Sequence, residues 1–527
     1  MFRLRVKFLL LTILVLVTVL SAAPASSQGD NILRILSNAD IRTSDPHIAY
    51  ETETWPTASL FYVGLVKQDI QGNPVPGLAE SWTISDDGLV YTFTLREGLK
   101  FSNGRDLTTE DVKYSFERIL DPATGAPTSF FFAVFEGAEA KLNGEADEVS
   151  GIRIIDERTI EFTLTRPEWT MMKRFALPPG FIVAREGVEE AENFGFEPLG
   201  AGPFVLESWE PGVRIVGSRN PNYYEEGKPY VDGFEMSLGI EPSVGILRIE
   251  AGEADVALDF VPSADYPRLA GDPALAERLI PLAAFPNIDY VIFNHNLVDE
   301  PFSDVRVRRA LSMAIDRERL VQLTNGRSVP AAGPIPPSVL GDNPELQPQA
   351  YDPEGARALL AEAGYPDGFS TEFLSNTDPQ AVAFSQAIIA DWANVGVQAT
   401  LTSIDNAQFL DLLINQPEPD SFHIAFTEWY LDYLDPSNVY EPLHQCGGSY
   451  NWGHICNEEL DAFFEEANAI PPGDDRWAAF AELEARLVEA QPSIYLQHRQ
   501  NYYFTSERLT IEGNPAVLLV FADATVQ

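Results

Sequence analysis

Apolar residues along this chain alternate in some stretches and recur at helical spacing in others, and the two patterns take turns. Tyr91, Phe93 and Leu95 are interleaved with Thr92 and Thr94, the two-residue period of a half-buried strand. Gly98 and Asn103-Gly104 supply turns. Thr108 stands three residues before Asp111, a capping-box spacing. Val112, Phe116 and Ile119 then share one helical face until Asp121-Pro122 stops the helix. Ile152, Ile154, Ile160, Phe162 and Leu164 outline a strand pair around a turn at Asp156-Glu157. Phe204, Leu206 and Trp209 mark another strand, which turns at Pro211-Gly212 and resumes at Ile215. Residues 289–294 read as a buried strand, and Ser303 is expected to open a helix through Ala310, Leu311, Ala314 and Ile315. Asp352-Pro353 is an N-cap followed by proline at the first helical position; Leu359, Leu360 and Ala363 face inward and Gly364 ends the helix. Residues 384–392 give a further amphipathic helix, and 393–401 turn through Gly396 into a strand. Helices and strands interleave without a tandem repeat, so the class is α/β. A chain of 527 residues exceeds one simple core, so two or three lobes are expected.

The first residues follow a different pattern. Arg3, Arg5 and Lys7 are basic, 8–20 are almost all apolar, and Ala23-Pro24-Ala25 meets the small-x-small rule for cleavage. Residues 1–25 are therefore expected to be a secretory signal peptide. The apolar run is shorter than the roughly 20 residues of a spanning helix. No cysteine lies near the cleavage site, which argues against a lipid anchor there and for a periplasmic or otherwise extracytoplasmic protein. Acidic residues outnumber basic ones by 79 to 35, a net charge of −44, and loss of the three leader cations takes this to −47. Such a surface repels nucleic acid and anionic lipid, and reads as a heavily solvated acidic exterior.

Cys446 and Cys456 are the only cysteines. In an exported chain they favour a disulfide. His444-x-Cys446 and His454-x-Cys456 repeat one spacing and form a rival four-ligand zinc set, which the oxidising compartment disfavours, so no metal is expected. No Gly-x-Ser-x-Gly elbow, His-Glu-x-x-His or phosphate loop is present, so no catalytic residues and no cofactor are assigned. An exported hydrolase working with carboxylates alone stays as a remote alternative.

Four segments in order carry a resemblance: 89–122 (LVYTFTLREGLKFSNGRDLTTEDVKYSFERILDP), 200–232 (GAGPFVLESWEPGVRIVGSRNPNYYEEGKPYVD), 302–317 (FSDVRVRRALSMAIDR) and 351–369 (YDPEGARALLAEAGYPDGF). Together they resemble the dipeptide- and oligopeptide-binding proteins of ABC importers, solute-binding family 5. The resemblance implies a two-lobed α/β fold of the periplasmic-binding-protein type (cluster C) with an extra α/β domain inserted in the first lobe. Lobe I would comprise 30–75, 195–285 and 495–527, the extra domain 76–194, and lobe II 286–494. It implies a monomeric receptor that captures a peptide by hinge closure and delivers it to an ABC permease complex, with an oligosaccharide or other solute as the alternative ligand.

By the same resemblance, Asp432 in the stretch 428–433 (EWYLDY) matches the aspartate that anchors a peptide's free α-amine. Trp429 and Tyr430 would flank the site, and Tyr50, Glu51 and Thr52 match a segment whose backbone pairs with the peptide. Phe130 and Phe131 fall where the extra domain supplies a lid aromatic, and Cys446 and Cys456 match a paired-cysteine loop. Taken by residue type alone, the aromatics are equally explained by core packing, and Asp432 by a turn beside Asp435-Pro436. Dipeptide-specialised members carry a carboxylate-clamping arginine shortly after the segment matching 364–369, whereas 374–377 (LSNT) has none. The implied ligand is therefore longer than a dipeptide.

Overall fold

The computed structural model describes residues 31–51, 53–282, 286–415, 421–513 and 519–527; the leader expected at 1–25 lies outside them. The alternating stretch becomes the strand Val90–Leu95, with Tyr91, Phe93 and Leu95 buried. It pairs antiparallel with Ala79–Ile84 and Thr159–Thr163, and Ile152–Ile154 completes a four-stranded sheet. Against this sheet lies the helix Thr109–Ile119. Its start is fixed by the Thr108 N–H, which donates to the Asp111 carboxylate at 2.9 Å, satisfying a donor that no helical carbonyl reaches.

A five-stranded sheet runs in the order Val256–Ala257, Ile32–Leu36, Gly233–Ser237, Arg214–Arg219, Phe204–Glu210. A bulge between Leu206 and Ser208 shifts the alternation and accounts for the spacing of Phe204, Leu206 and Trp209. The helix Thr54–Phe61 packs on this sheet at Phe204–Glu210 and is buried along almost its whole length. Side chains of both sheets, including Leu33, Phe234, Phe93 and Phe162, join one continuous apolar cluster. Gly200 and Gly202 let the chain press onto that helix: a Cβ at either would stand 2.2–2.3 Å from Phe61 backbone atoms.

The second lobe is built on a six-stranded sheet ordered Ser328–Pro330, Ser493–Arg499, Asn287–Phe293, Ile424–Tyr430, Ser370–Asn376, Gln398–Ile404. Every residue of Asn287–Phe293 is buried, as a central strand covered on both faces requires. Val291 and Phe293 pack into a cluster on one face, Ile288, Tyr290 and Ile292 into a cluster on the other. The helix expected from Ser303 is in fact capped one residue later. Asp304 accepts the Arg306 N–H at 2.8 Å, and the helix spans Val305–Met313. Asp316 caps a second helix, Arg317–Leu323, so Ala314 and Ile315 lie in the break between two helices. Asp378, not the apolar periodicity, sets the start of the helix Pro379–Asn394. The strand Leu279–Pro281 pairs with Tyr502–Phe504, so the two chain crossings between lobes run side by side.

Candidate functional site

Beyond the strand Ile424–Tyr430 the chain turns back at Asp435-Pro436 into the helix Ser437–Leu443. Asp435 holds the turn by accepting the Ser437 N–H at 3.0 Å. It is itself held by the fully buried Arg476, at 3.1 Å. The turn-capping role thus falls to Asp435, and Asp432 is left for the interior. The fold-back brings Asn438 against Asp432. The Asn438 side chain accepts the Asp432 N–H at 2.8 Å and donates to the Asp432 carboxylate at 3.0 Å. From the first lobe, the Tyr50 hydroxyl donates to the same carboxylate at 3.2 and 3.4 Å. Asp432 is 6% exposed and has no salt bridge among the described residues. Burial pushes its carboxyl up to about 7, against the weaker downward pull of the Asn438 and Tyr50 hydrogen bonds and the Arg174 charge.

Aromatic rings from both lobes converge on this carboxylate. Tyr50 lies 5.6 Å from Tyr450 and 6.5 Å from Phe131; Phe130 lies 4.2 Å from Phe131 and 6.1 Å from Tyr450. Phe131 is fully buried and Phe130 half-buried. Trp429 packs 5.1 Å from Tyr450 and donates its indole N–H to the Asn438 carbonyl at 3.0 Å, so it braces the loop that carries Asp432. Tyr430 points from the opposite face of the strand. It packs on Phe260 of the first lobe at 6.0 Å, beneath the guanidinium of Arg499, which is paired with Asp289 and Glu428. Trp429 and Tyr430 therefore do not flank one position. Glu51 is exposed, and its backbone N–H and C=O are both engaged by Thr54. Thr52 lies outside the described residues.

Cys446 and Cys456 form a disulfide, which consumes the thiolates that a zinc site would need. The loop they close carries Tyr450 and Trp452. His444 is buried, with its ring nitrogen 3.3 Å from the Tyr495 hydroxyl. Two cavities of about 320 and 310 Å³ lie beside the disulfide loop and under the C-terminal segment, and neither is lined by Asp432. Asn438, Tyr450, Arg174 and Glu441 were not singled out from the sequence. Only Asn438 had a signal, since Asp435-Pro436 marks a reversal that returns the following helix toward Asp432.

The two lobes touch at several points of the junction. Lys173 donates to the Leu434 carbonyl, Arg174 pairs with Glu441 at 2.6 Å, and Arg327 donates to the Val261 carbonyl at 2.9 Å. A family model described as bacterial extracellular solute-binding proteins, family 5 Middle, matches residues 73–451. The chain is 30% identical over 481 residues to the di/tripeptide-binding protein 4 of Pseudomonas aeruginosa (strain UCBPP-PA14), covering 86% of each. It is 28% identical over 447 residues to the dipeptide-binding protein of Escherichia coli (strain K12), covering 80% of this chain and 81% of the relative. The solved structure of the Escherichia coli murein tripeptide binding protein superposes with a TM-score of 0.82 at 25% identity, over 94% of this chain and 98% of that one. An unliganded open form of the periplasmic murein tripeptide binding protein, also 25% identical, gives 0.73 over 94% and 97%. The lower score against the open form agrees with lobes that meet across the junction. With its two lobes, its double crossing and a family match over most of its length, this chain belongs to the bacterial extracellular solute-binding proteins of family 5.

Proposed function

We propose that this protein is an extracytoplasmic receptor that captures a peptide between its lobes and hands it to an ABC importer. Asp432 is the observation that carries the reading. It is a buried carboxylate at the lobe junction, contacted from both lobes, with no salt bridge among the described residues. A ligand ammonium supplies the missing charge, and a charge-assisted hydrogen bond there is stronger than a neutral one. Because the site is completed only when Tyr50 and Asp432 meet, ligand binding and closure are the same event. Tyr450, Phe130 and Phe131 give the peptide an apolar surround. The stretch 374–377 carries no cation, and Leu374 and Ser375 are buried. This supports a ligand longer than a dipeptide, as does the separate patch around Tyr430 and Arg499 further along the junction.

In this reading the chain acts as a monomer without catalysis, cofactor or metal, is exported by its leader and works outside the cytoplasm. The extra domain spans 76–194 and holds the whole four-stranded sheet. Lobe I combines 30–75 and 195–285 with the C-terminal segment. The strand Ser493–Arg499 belongs entirely to the six-stranded sheet, which supports a return crossing nearer 500 than 495.

Native mass spectrometry of freshly purified protein should show a co-purifying peptide mass. Calorimetry with peptides of two to six residues should show binding that Asp432→Asn weakens on the order of 100-fold, about 3 kcal/mol for an ammonium left without its counter-charge. Binding of sugars alone, with D432N indistinguishable from wild type, would replace the peptide reading with an oligosaccharide one. Turnover of the ligand would remove the receptor reading altogether.

A further inference from the structure

Arg174 sits at the lobe junction, 1% exposed, between two carboxylates that belong to different lobes. On its own side is Glu168, fully buried, 3.3 Å away. Across the junction is Glu441, on the helix Ser437–Leu443 of the second lobe, at 2.6 Å. The remaining guanidinium groups face the ligand site. One donates to the Phe131 carbonyl at 3.4 Å, and the charge lies 5.5 Å over the Tyr433 ring, next to Asp432. Nε is held by Thr170 Oγ1 at 3.0 Å. Glu168 accepts from Thr170 through Oε1 at 2.6 Å, while its buried Oε2 faces Arg174 and has no hydrogen-bond partner among the described residues.

We infer that Glu168, Arg174 and Glu441 are a charge clasp that sets how far this receptor stays shut: Arg174–Glu441 closes it and Glu168–Glu441 repulsion opposes closure. The physical reason lies in what opening separates. Arg174 and Glu168 are six residues apart and part of one apolar-packed unit with Met171 and Phe175, so their attraction is the same in both states. Only the terms that cross the junction change. Within the triad these are the attraction of Arg174 for Glu441, at hydrogen-bonding distance, and the repulsion of Glu168 by Glu441. The attraction is the larger, because it is the shorter contact and is charge-assisted.

Glu168 also makes opening tolerable. Were Glu441 the sole counter-ion, opening would strand a desolvated guanidinium, which is costly. With Glu168 resident, Arg174 stays paired when the lobes part, and Glu441, whose side chain is 22% exposed, regains water. The arrangement suits a receptor that must release its cargo. Arg166 extends it, at 3.6 Å from Glu441 and 3.4 Å from Glu465. The triad thus consists of positioning residues rather than ligand contacts. The inference rests on the capture reading for its purpose but not for its geometry.

The test is the distance between spin labels at Glu145→Cys and Glu466→Cys, one exposed site on each lobe, in dialysed protein shown by native mass spectrometry to be ligand-free. Opposite shifts are expected. Glu441→Gln should lower the ratio of closed to open molecules roughly three- to tenfold, and Glu168→Gln should raise it by a similar factor. No shift in either variant, or shifts in the same direction, overturns the clasp. Should the buried Glu168→Gln fail to fold by circular dichroism, the part-exposed Glu441→Gln decides alone, and an undiminished closed population overturns the proposal. Adding a tryptic digest of casein to wild type separates the two readings. A wild type that ignores the digest counts against peptide capture, while opposite shifts in the variants still support the clasp.

Discussion

At Asp432 the fold works against a charge. In the unfolded chain this carboxyl titrates near 3.8, and in the folded one burial moves it to about 7. The folded state therefore holds a proton that the unfolded state has lost throughout that window. Stability from this group is greatest below about 4 and is lost as pH rises through about 7. Glu53 and Glu484 are also raised to about 7 and Asp259 to about 6, while burial lowers His47, His295 and His498 to about 4 and makes them act in the opposite direction, so only a difference measurement isolates Asp432. In ligand-free protein, D432N is expected to be more stable than wild type at pH 8, on the order of 1–2 kcal/mol, and to show little gain at pH 4. Denaturant midpoints at the two values check this. An equal effect at both would mean that Asp432 is already ionised and stabilised by the Asn438 and Tyr50 hydrogen bonds.

The disulfide loop and the loop of Asp432 are two elements that hold each other through Tyr450 and Trp429. The Cys446–Cys456 bond closes a loop of sequence separation 10, for which chain entropy gives roughly 2–3 kcal/mol. Replacing both cysteines by serine is expected to cost about that much in denaturant unfolding and to weaken peptide binding, since Tyr450 loses its tether. Unchanged stability would assign the loop to Asn451, which already ties its two sides through the Gln445 and Ile455 carbonyls. Elements of this size were largely legible in the sequence wherever one local rule governs. The strand at Tyr91, Phe93 and Leu95 announces itself by period 2, and the helix after Thr108 by its capping box. Boundaries decided by an aspartate reaching back, at Asp304, Asp316 and Asp378, were less so, because apolar period and cap compete there. Convergence over distance was not legible from pattern at all. Tyr50 and Asp432 are 382 positions apart, and neither Arg174 nor Glu441 carries a local mark of facing the other. Asp432 itself stood out only through a family resemblance, since its residue type is among the commonest in the chain.

At the scale of the whole molecule, charge sets a constraint that no single pair resolves. With 79 acidic and 35 basic residues, pairing every cation still leaves more than half of the carboxylates without a partner. Many of the ion pairs are surface pairs, such as Arg153–Glu161 and Arg214–Glu210, and each contributes little. Salt acts on both populations. It screens the favourable surface pairs, which lowers stability, and it screens the repulsion among unpaired carboxylates, which raises it. The second effect is the larger here, because the repulsive terms outnumber the attractive ones and extend across the molecule, whereas the half-buried pair Arg174–Glu441 and the buried pair Arg476–Asp435 are less open to ions. Raising sodium chloride from about 10 to about 500 mM should therefore increase the unfolding temperature by several degrees, with most of the gain complete once the Debye length falls below about 8 Å. Scanning calorimetry at constant pH reads this directly. A falling melting temperature would mean that the surface pairs act as a stabilising network, and that the acidic excess is arranged so that its carboxylates avoid one another.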